Sequence, residues 1–291
     1  MTETAMADIR DMPTASRSWP QIGDILVNHD GDCPPPTGEL TGRTFALAGS
    51  GGDRMDLTFA DDDRVLLRDS AGERHLRCQV HRIRDAHLVS CEADAGSRSI
   101  ATIYLDPQAG RALVIETTMP TPGDGGGDLL SRIARTGSQS MVGMRFEAFA
   151  IRPGAAGFAR GTGLVGRYFR YRYSDTHVYD HIYLSERYYA WFCHAGPDKG
   201  LGDFDECDHF ELGPDLHLLC WREKLIPCGA VTIEDHRAMR SHGVIMGSDA
   251  ETGQIACSVV SAAIMPVADV AWAGAAASQE IAAGRAGKAT T

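Results

Sequence analysis

The segment at residues 54–59, "RMDLTF", alternates polar and apolar side chains over its whole length. Met55, Leu57 and Phe59 are apolar, and the residues between them are polar. This period of two is typical of a β-strand that has one buried face and one face in water. We therefore expect the odd-numbered residues of this strand to point inward.

A second copy of the same pattern follows 124 residues later: "MDLTF" at 55–59 aligns with "YDHIY" at 179–183, and "LTGRTF" at 40–45 aligns with "LVGRYF" at 164–169. Two later matches keep the same order, "AHLVSCE" with "LHLLCWRE" at an offset of 130 and "ATIYLD" with "AVTIED" at an offset of 129. Four matches in one order indicate an internal duplication.

Each copy reads as short alternating segments separated by turn residues, with almost no helical periodicity. Antiparallel strands of this kind must close or stack to hide their edges. About eight strands in about 90 residues fit a small closed barrel that is wide enough for one small ligand. The sequence thus predicts an all-β protein of two tandem antiparallel β-barrels.

The Pro- and Gly-rich segment "MPTPGDGGGD" at 119–128 separates the copies, and "DLLSRIAR" after it predicts a short helix capped by Asp128. The predicted organisation is an N-terminal extension at 1–39, a first barrel at 40–118, a linker region at 119–163, a second barrel at 164–250, and a C-terminal extension and tail at 251–291.

Composition limits the classes of function. The net charge of −11 argues against nucleic-acid binding, because an acidic surface repels phosphate. The N-terminus has no signal-peptide pattern and the chain has no long apolar run, so a cytoplasmic protein is expected. The eight cysteines form no CxxC pair, and we expect them to be reduced, mostly in the core.

The duplication also predicts a difference between the two interiors. The inward positions Met55, Leu57 and Phe59 of the first copy align with tyrosine and histidine in the second copy, at Tyr179, His181 and Tyr183. Buried hydroxyl and imidazole groups need hydrogen-bond partners, so these side chains favour a polar ligand cavity in the second barrel and a filled first barrel. The alternative is that their polar tips reach water at the barrel mouth.

A charged triplet, Arg222, Glu223 and Lys224, interrupts the apolar segment "LHLLCWREKLI" at 216–226. If the odd-numbered face points inward, Glu223 joins Trp221 and His217 in the interior, where a raised pKa would suit a general acid or base. If a loop changes the parity, Arg222 points inward and binds an anionic group. A salt bridge at the barrel rim is the third interpretation.

Residues 164–247 resemble the C-terminal domain of the MoaF family in the segments "YRYSDTHVYDHIYL", W-x-C-x-x-G-x-x-K-G at 191–200 and "DLHLLCWREK". Residues 40–118 resemble that family's N-terminal domain in strand pattern and order. The resemblance implies a lipocalin-like barrel for each domain and a link to molybdenum cofactor biosynthesis. The same fold group includes phenolic acid decarboxylase, which works without a cofactor through tyrosines, an arginine and a glutamate, and this likeness is at the level of fold.

Other motifs give weaker evidence about function. "GTGLVG" at 161–166 precedes a strand, whereas a dinucleotide site needs a strand followed by a helix. The Cys193-His194 and Cys207-x-His209 pairs lack zinc-site spacing, so we expect no metal and no cofactor. In the polar loop predicted at 194–207, Lys199 either binds an acidic group of the ligand or is simply solvated.

These observations favour a cofactor-independent acid–base enzyme, a lyase, isomerase or cyclase, that acts on a small polar or aromatic metabolite. A non-catalytic small-molecule binding protein and an accessory protein of molybdenum cofactor biosynthesis are the alternatives. The expected partner is a small-molecule ligand, with neither nucleic acid nor a membrane, and the sequence allows a homo-oligomer. The candidate catalytic residues are Glu223, His181, Tyr183 and Tyr171, and the candidate ligand-binding residues are Tyr173, Tyr179, Trp191, Lys199, His217, Trp221 and Arg222.

Overall fold

The computed structural model describes residues 33–93, 96–121, 128–155, 157–249 and 252–269, which form sixteen β-strands and one α-helix. The first eight strands are β1 Thr44–Gly49, β2 Arg54–Phe59, β3 Arg64–Asp69, β4 Gly72–Ile83, β5 Ala86–Cys91, β6 Ser99–Asp106, β7 Arg111–Thr118 and β8 Gly143–Ala150. The second eight are β9 Arg167–Ser174, β10 His177–Tyr183, β11 Tyr188–Ala195, β12 Gly202–Gly213, β13 Leu216–Arg222, β14 Cys228–Asp235, β15 Arg240–Ser248 and β16 Ile255–Asp269. The helix is α1, Leu129–Thr136.

Each group of eight strands closes into an antiparallel barrel in which every strand pairs with its neighbours in the chain, and the last strand pairs with the first. Phe45 lies opposite Leu57 in the first barrel, and Phe169 lies opposite His181 in the second. Both pairs are related by the same offset of 124 residues, since 169 − 45 and 181 − 57 are equal. The prediction of two tandem antiparallel barrels is confirmed, and the shared strand order agrees with a duplication.

The closing strand of each barrel lies beyond the boundary that the sequence predicted. Strand β8 comes from the predicted linker region, and β16 comes from the predicted C-terminal extension. The repeat does not reveal them because the segments before them differ in length, at 119–142 and 249–254, so the offset falls from about 130 to 112 (255 − 143). Pro266 in β16 lies opposite Phe169 beside a register shift, where a missing N–H is tolerated.

Helix α1 forms where the sequence predicts it. The Asp128 side chain accepts a hydrogen bond of 3.0 Å from the Ser131 amide, which satisfies one of the amides that the first turn leaves unpaired. Gly137 ends the helix in a left-handed conformation with φ of 71°. The helix therefore belongs to the segment that leaves β7 and returns as β8.

The two barrels share a third apolar core, between the outer faces of their strands. The set includes Leu88, Tyr104, Leu113, Leu218, Val231 and Val244. Arg84 binds Asp235 across this junction at 2.7 Å, and Arg111 donates to the Leu212 carbonyl at 2.6 Å. Burial of each leucine-sized side chain contributes about 1.5–3 kcal/mol, so the junction is a true core.

All eight cysteines lie in the described part of the chain, and none of them forms a disulfide. Within the described residues no helix is long and apolar enough to cross a membrane. The predicted extension up to residue 32 and the tail from residue 270 lie outside the described residues.

Candidate functional site

The interiors of the two barrels differ as the duplication predicts. The interior of the first barrel is apolar, and Leu57 on β2 is 0% exposed. At the equivalent position the second barrel has His181, which is 5% exposed, between Tyr179 and Tyr183. The inward direction of the odd-numbered face is thus confirmed for these strands, and the second barrel buries polar side chains.

A small cavity lies within the second barrel, with a volume of about 40 Å³. Its lining consists of Tyr173, Tyr179, His181, Tyr189, Trp191, Asp198, Trp221, Glu223 and Ile245. This volume has room for a few water molecules, whereas pockets that enclose drug-sized ligands measure roughly 300–1,000 Å³. A metabolite of that size would enter only if the aromatic lining moved.

Of the charged triplet at 222–224, Glu223 is the residue that faces the cavity. Trp221 and Glu223 line the cavity, while the Arg222 guanidinium lies on the opposite face and binds Asp208 at 2.7 Å and Glu206 at 3.6 Å. Arg222, which the sequence predicts as a candidate ligand-binding residue, therefore does not line this cavity, because strand alternation turns it outward. The Lys224 ammonium binds Asp203 and the carbonyl of Phe204.

Tyrosines and a histidine pack together beside the cavity, where their rings are apolar and their hydroxyl and imidazole groups are polar. The hydroxyls of Tyr171 and Tyr183 are 2.7 Å apart, and the His181 ring centroid lies 4.4 Å from that of Tyr171 and 5.0 Å from that of Tyr189. Burial lowers the pKa of His181 to about 3 and raises the pKa of Tyr171 and Tyr183 well above their ordinary value. The imidazole is therefore neutral at physiological pH and the phenols keep their protons.

Three carboxyl groups meet at one side of this interior. Asp198 accepts a hydrogen bond of 2.9 Å from the Tyr179 hydroxyl, and Asp205 accepts one of 2.7 Å from the Trp191 indole. Burial raises the pKa of Asp198, and it raises the pKa of Asp205 to about 6. Burial also raises the pKa of Glu223 well above its ordinary value, and the nearby carboxylates of Asp205 and Asp198 add to this effect. All three carboxyls therefore release their protons at a higher pH than free carboxyl groups do.

The cavity and its surroundings include acidic residues that sequence reasoning missed, namely Asp198, Asp205 and Glu234. Asp198 is the neighbour of Lys199, and it is Asp198 that points inward while Lys199 is exposed. Glu234 on β14 is 1% exposed and accepts hydrogen bonds from Thr232 at 2.7 Å and Ser241 at 3.0 Å. Burial raises the pKa of Glu234 to about 7.

Two further predicted ligand-binding residues lie away from the cavity. Lys199 is on the surface, in a loop that is shorter than predicted because β11 continues to Ala195 and β12 begins at Gly202. His217 faces the His236 ring, with centroids 5.4 Å apart, at the other end of β13. At about 3.3 Å per residue, the six residue steps from His217 to Glu223 separate them by roughly 20 Å.

Cys193 and His194 point to opposite faces of β11, because successive residues of a strand alternate. Cys193 is buried inside the barrel, and His194 lies outside at 2.6 Å from Asp180. Cys207 and His209 do face each other inside, with Sγ and Nε2 3.0 Å apart. The two pairs therefore do not form a single four-ligand set.

A segment of the first barrel braces the rim of the cavity; we call residues 128–142 the bracing segment. Ser140 donates a hydrogen bond of 2.9 Å to the carbonyl of Glu223, and Arg132 donates one of 3.0 Å to the carbonyl of Lys224. Ser138 and the amide of Gln139 bind the buried Glu206 carboxylate at 2.7 Å and 2.9 Å. The backbone that carries Glu223 is therefore held by the other barrel.

These features define a class of protein, an all-β chain of two closed antiparallel barrels of which one has an apolar interior and the other has an acidic, aromatic cavity. A family model described as the MoaF C-terminal domain matches residues 158–270, and one described as the MoaF N-terminal domain matches residues 17–121. The chain belongs to the MoaF family.

One curated relative is Protein MoaF from Klebsiella aerogenes, which is 46% identical over 84 residues. This match covers 29% of the present chain and 32% of the relative, so it spans about a third of that protein's length. A crystal structure of a protein from Burkholderia vietnamiensis that is provisionally named a beta-lactamase matches 38% of this chain and 99% of its own, with 19% identity and a TM-score of 0.31. A similarity at this level carries no argument about function.

Proposed function

We propose that this MoaF family member converts a small polar or aromatic metabolite inside the second barrel by acid–base chemistry, without a cofactor, as a lyase, isomerase or cyclase. The observation that carries the proposal is the carboxyl cluster of Glu223, Asp198 and Asp205 beside the buried tyrosines. Carboxyl groups whose environments separate their pKa values can divide the roles of acid and base between them.

Glu223 is the group we assign to the transferred proton. Among the described residues its carboxyl oxygens have no hydrogen-bond partner, although they line the cavity, so they are available to a ligand. Its raised pKa favours the protonated form, which suits a general acid that protonates a developing oxyanion or carbanion. Asp198, hydrogen-bonded to Tyr179, is the complementary base: a proton leaves the substrate for Tyr179 as Tyr179 passes its own to Asp198.

The lining also restricts the class of substrate. Within the described residues the cavity is lined by Asp198 and Glu223 and by no lysine or arginine. An anionic substrate would therefore be repelled, and an uncharged or positively charged one is favoured, since Tyr179 and Trp221 offer aromatic faces to it. The volume of about 40 Å³ favours a compact molecule.

The first experiment is native mass spectrometry of freshly purified protein, to identify a retained small molecule. The released molecule is then incubated with wild-type protein, the Glu223→Gln variant and the Glu186→Gln variant, in which the changed residue is exposed and outside the cavity. We expect Glu223→Gln to keep the molecule bound and to lower its turnover by about 10²–10⁴-fold, and Glu186→Gln to have no effect.

Unchanged turnover in the Glu223→Gln variant would exclude Glu223 as the acid–base residue. A retained molecule that the wild-type protein never converts would exclude the enzyme and leave a binding protein. A pterin mass would instead support the accessory role in molybdenum cofactor biosynthesis.

A further inference from the structure

Three side chains of types that can bind a metal lie close together outside both barrel interiors. One ligating atom from each of Cys33, His81 and His242 lies within 4.8 Å of the others. Cys33 precedes the first barrel, His81 is on β4 of that barrel, and His242 is on β15 of the second. The three residues are 48 and 161 positions apart in sequence, so no local motif reveals them.

The spacing of these atoms is close to that of a tetrahedral zinc site. With Zn–S of about 2.3 Å and Zn–N of about 2.0–2.1 Å, tetrahedral ligand atoms are roughly 3.3–3.6 Å from one another. Cys33 Sγ is 3.5 Å from Nδ1 of His242, and the rings of His81 and His242 have centroids 4.6 Å apart. Closure of the remaining gap requires a movement of roughly 1 Å, which thiol and imidazole rotations can provide.

The surroundings orient the His81 imidazole as a metal site requires. Nδ1 of His81 lies 2.9 Å from the carbonyl of Pro34, and because a carbonyl only accepts, Nδ1 carries the proton and Nε2 keeps its lone pair. A histidine that binds a metal through one ring nitrogen usually donates the N–H of its other ring nitrogen to a carbonyl or carboxylate oxygen. Nε2 of His81 is 3.4 Å from Oε1 of Gln79, and Nε2 of His242 is buried with no hydrogen-bond partner in the described chain.

An open side of the cluster faces a cavity. Cys33 and His81 line a space of about 490 Å³ between the barrels, where Cys78, Cys91 and Cys257 also contribute to the wall. His81 and His242 are only 2% and 4% exposed, so water reaches the cluster mainly from this space. Three protein ligands with one accessible position are typical of zinc that binds a further ligand, whereas structural zinc sites have four.

We propose that Cys33, His81 and His242 bind one Zn²⁺ ion, which joins the two barrels and holds a water molecule or a small nitrogen- or sulfur-donor ligand at its fourth position. The thiolate and two imidazoles select zinc over magnesium, since magnesium requires oxygen ligands. The site shares no residue with the carboxyl cluster in the second barrel, so a failure of one proposal does not affect the other.

The test uses full-length protein that has been stripped with a chelator. It is titrated with Zn²⁺ for stoichiometry and affinity, and with Co²⁺ for the thiolate-to-metal charge-transfer band and the intense ligand-field bands of a tetrahedral site. The Cys33→Ser variant is the main probe, because Cys33 lies outside the strands of both barrels and its change should leave them folded. Cys257→Ser is the matched control, since Cys257 lines the same cavity outside the cluster.

We expect one Zn²⁺ per chain in wild-type protein, and a loss of affinity of at least about 100-fold with loss of the charge-transfer band in Cys33→Ser. His242→Asn should also weaken binding and keep the charge-transfer band at high Co²⁺. Zn²⁺, but not Mg²⁺, should raise the wild-type Tm by about 5 °C at saturating metal, a measurement that needs no variant to fold.

The absence of zinc binding by wild-type protein would overturn the proposal, and so would wild-type affinity in Cys33→Ser. An equal loss in Cys257→Ser would overturn the assignment of these three ligands.

Discussion

Two barrels with one strand order have opposite interiors. On the second strand of each barrel, three inward positions are apolar in the first copy and hydrogen-bonding in the second. The pairs are Met55 with Tyr179, Leu57 with His181 and Phe59 with Tyr183. The comparison teaches that this strand framework tolerates either interior, provided that the polar one supplies partners for its own groups.

The polar interior meets that condition only in part. The hydroxyls of Tyr171 and Tyr183 bind each other, and Tyr179 binds Asp198. Nδ1 of His181, in contrast, has no hydrogen-bond partner in the described structure. The second barrel therefore holds groups that reduce its stability, and these are the groups that a ligand could satisfy.

The largest expected effect comes from moving the histidine of the second interior into the first. Leu57→His should lower the free energy of unfolding by about 3–5 kcal/mol, because it removes apolar burial and encloses an imidazole that has no partner. Denaturant unfolding measures this value. Leu66→His, on the outer face of β3, is the control and should change little. Equal effects of the two variants would show that the first barrel is not filled.

The free energy of unfolding should depend on pH through a carboxyl group in the interior of the second barrel. Burial raises the pKa of Glu234 from 4.5 to about 7, so between these values the native state binds a proton that the unfolded state releases. The stability from this proton is complete below pH 4.5 and is lost as the pH rises through about 7, a change of about 3 kcal/mol. Glu234→Gln should flatten the measured stability–pH curve by that amount. An unchanged curve would contradict the raised pKa.

The first copy lacks the charged triplet at 222–224. A substitution of Arg222 in this triplet should lower stability and leave ligand binding unchanged. Arg222→Leu should cost about 2–3 kcal/mol, because it leaves the buried Glu206 and Asp208 carboxylates with less compensation. Arg172→Leu, whose partner Asp175 is 94% exposed, should cost less than about 1 kcal/mol. A loss of ligand affinity in Arg222→Leu with unchanged stability would reverse this assignment.

The smallest effect is expected from the reciprocal exchange, His181→Leu. It places in the second barrel the residue that the first barrel has at the equivalent position, and it removes an unpartnered nitrogen. The free energy of unfolding should change by no more than about 1 kcal/mol. A loss as large as that of Leu57→His, measured by the same unfolding experiment, would mean that His181 is structural.

Sequence alternation predicted the inward face correctly as far as Glu223, and the parity of the inward residues changes on the next strand. Directly opposite residues of an antiparallel pair share a face of the sheet. If both residue numbers are odd or both are even, and their sum is therefore even, the inward residues of the two strands have the same parity. If one number is odd and the other even, the inward residues change from odd to even or the reverse. Cys207 pairs with Trp221, an even sum, but Trp221 pairs with Ala230, an odd sum. Glu234 therefore points inward at an even number, because the register between β13 and β14 decides its face.

Strand alternation and the internal repeat could not predict the loop conformations or the contacts between distant segments. The loop before β12 has no period, so the sequence could not distinguish Lys199 from its neighbour Asp198. The bracing segment fell in the predicted linker, although it contacts the carbonyl of Glu223 through Ser140. The closing strands were missed because their spacing breaks the repeat.

The core shared between the barrels has a consequence for how the molecule denatures. Neither barrel can open without exposing to water the apolar residues that the other packs against it, such as Leu88 and Leu218. Arg84 and Asp235 would separate in the same event. We therefore expect the duplicated halves to unfold as one cooperative unit, in a single calorimetric transition whose heat capacity change reflects the surface of both barrels.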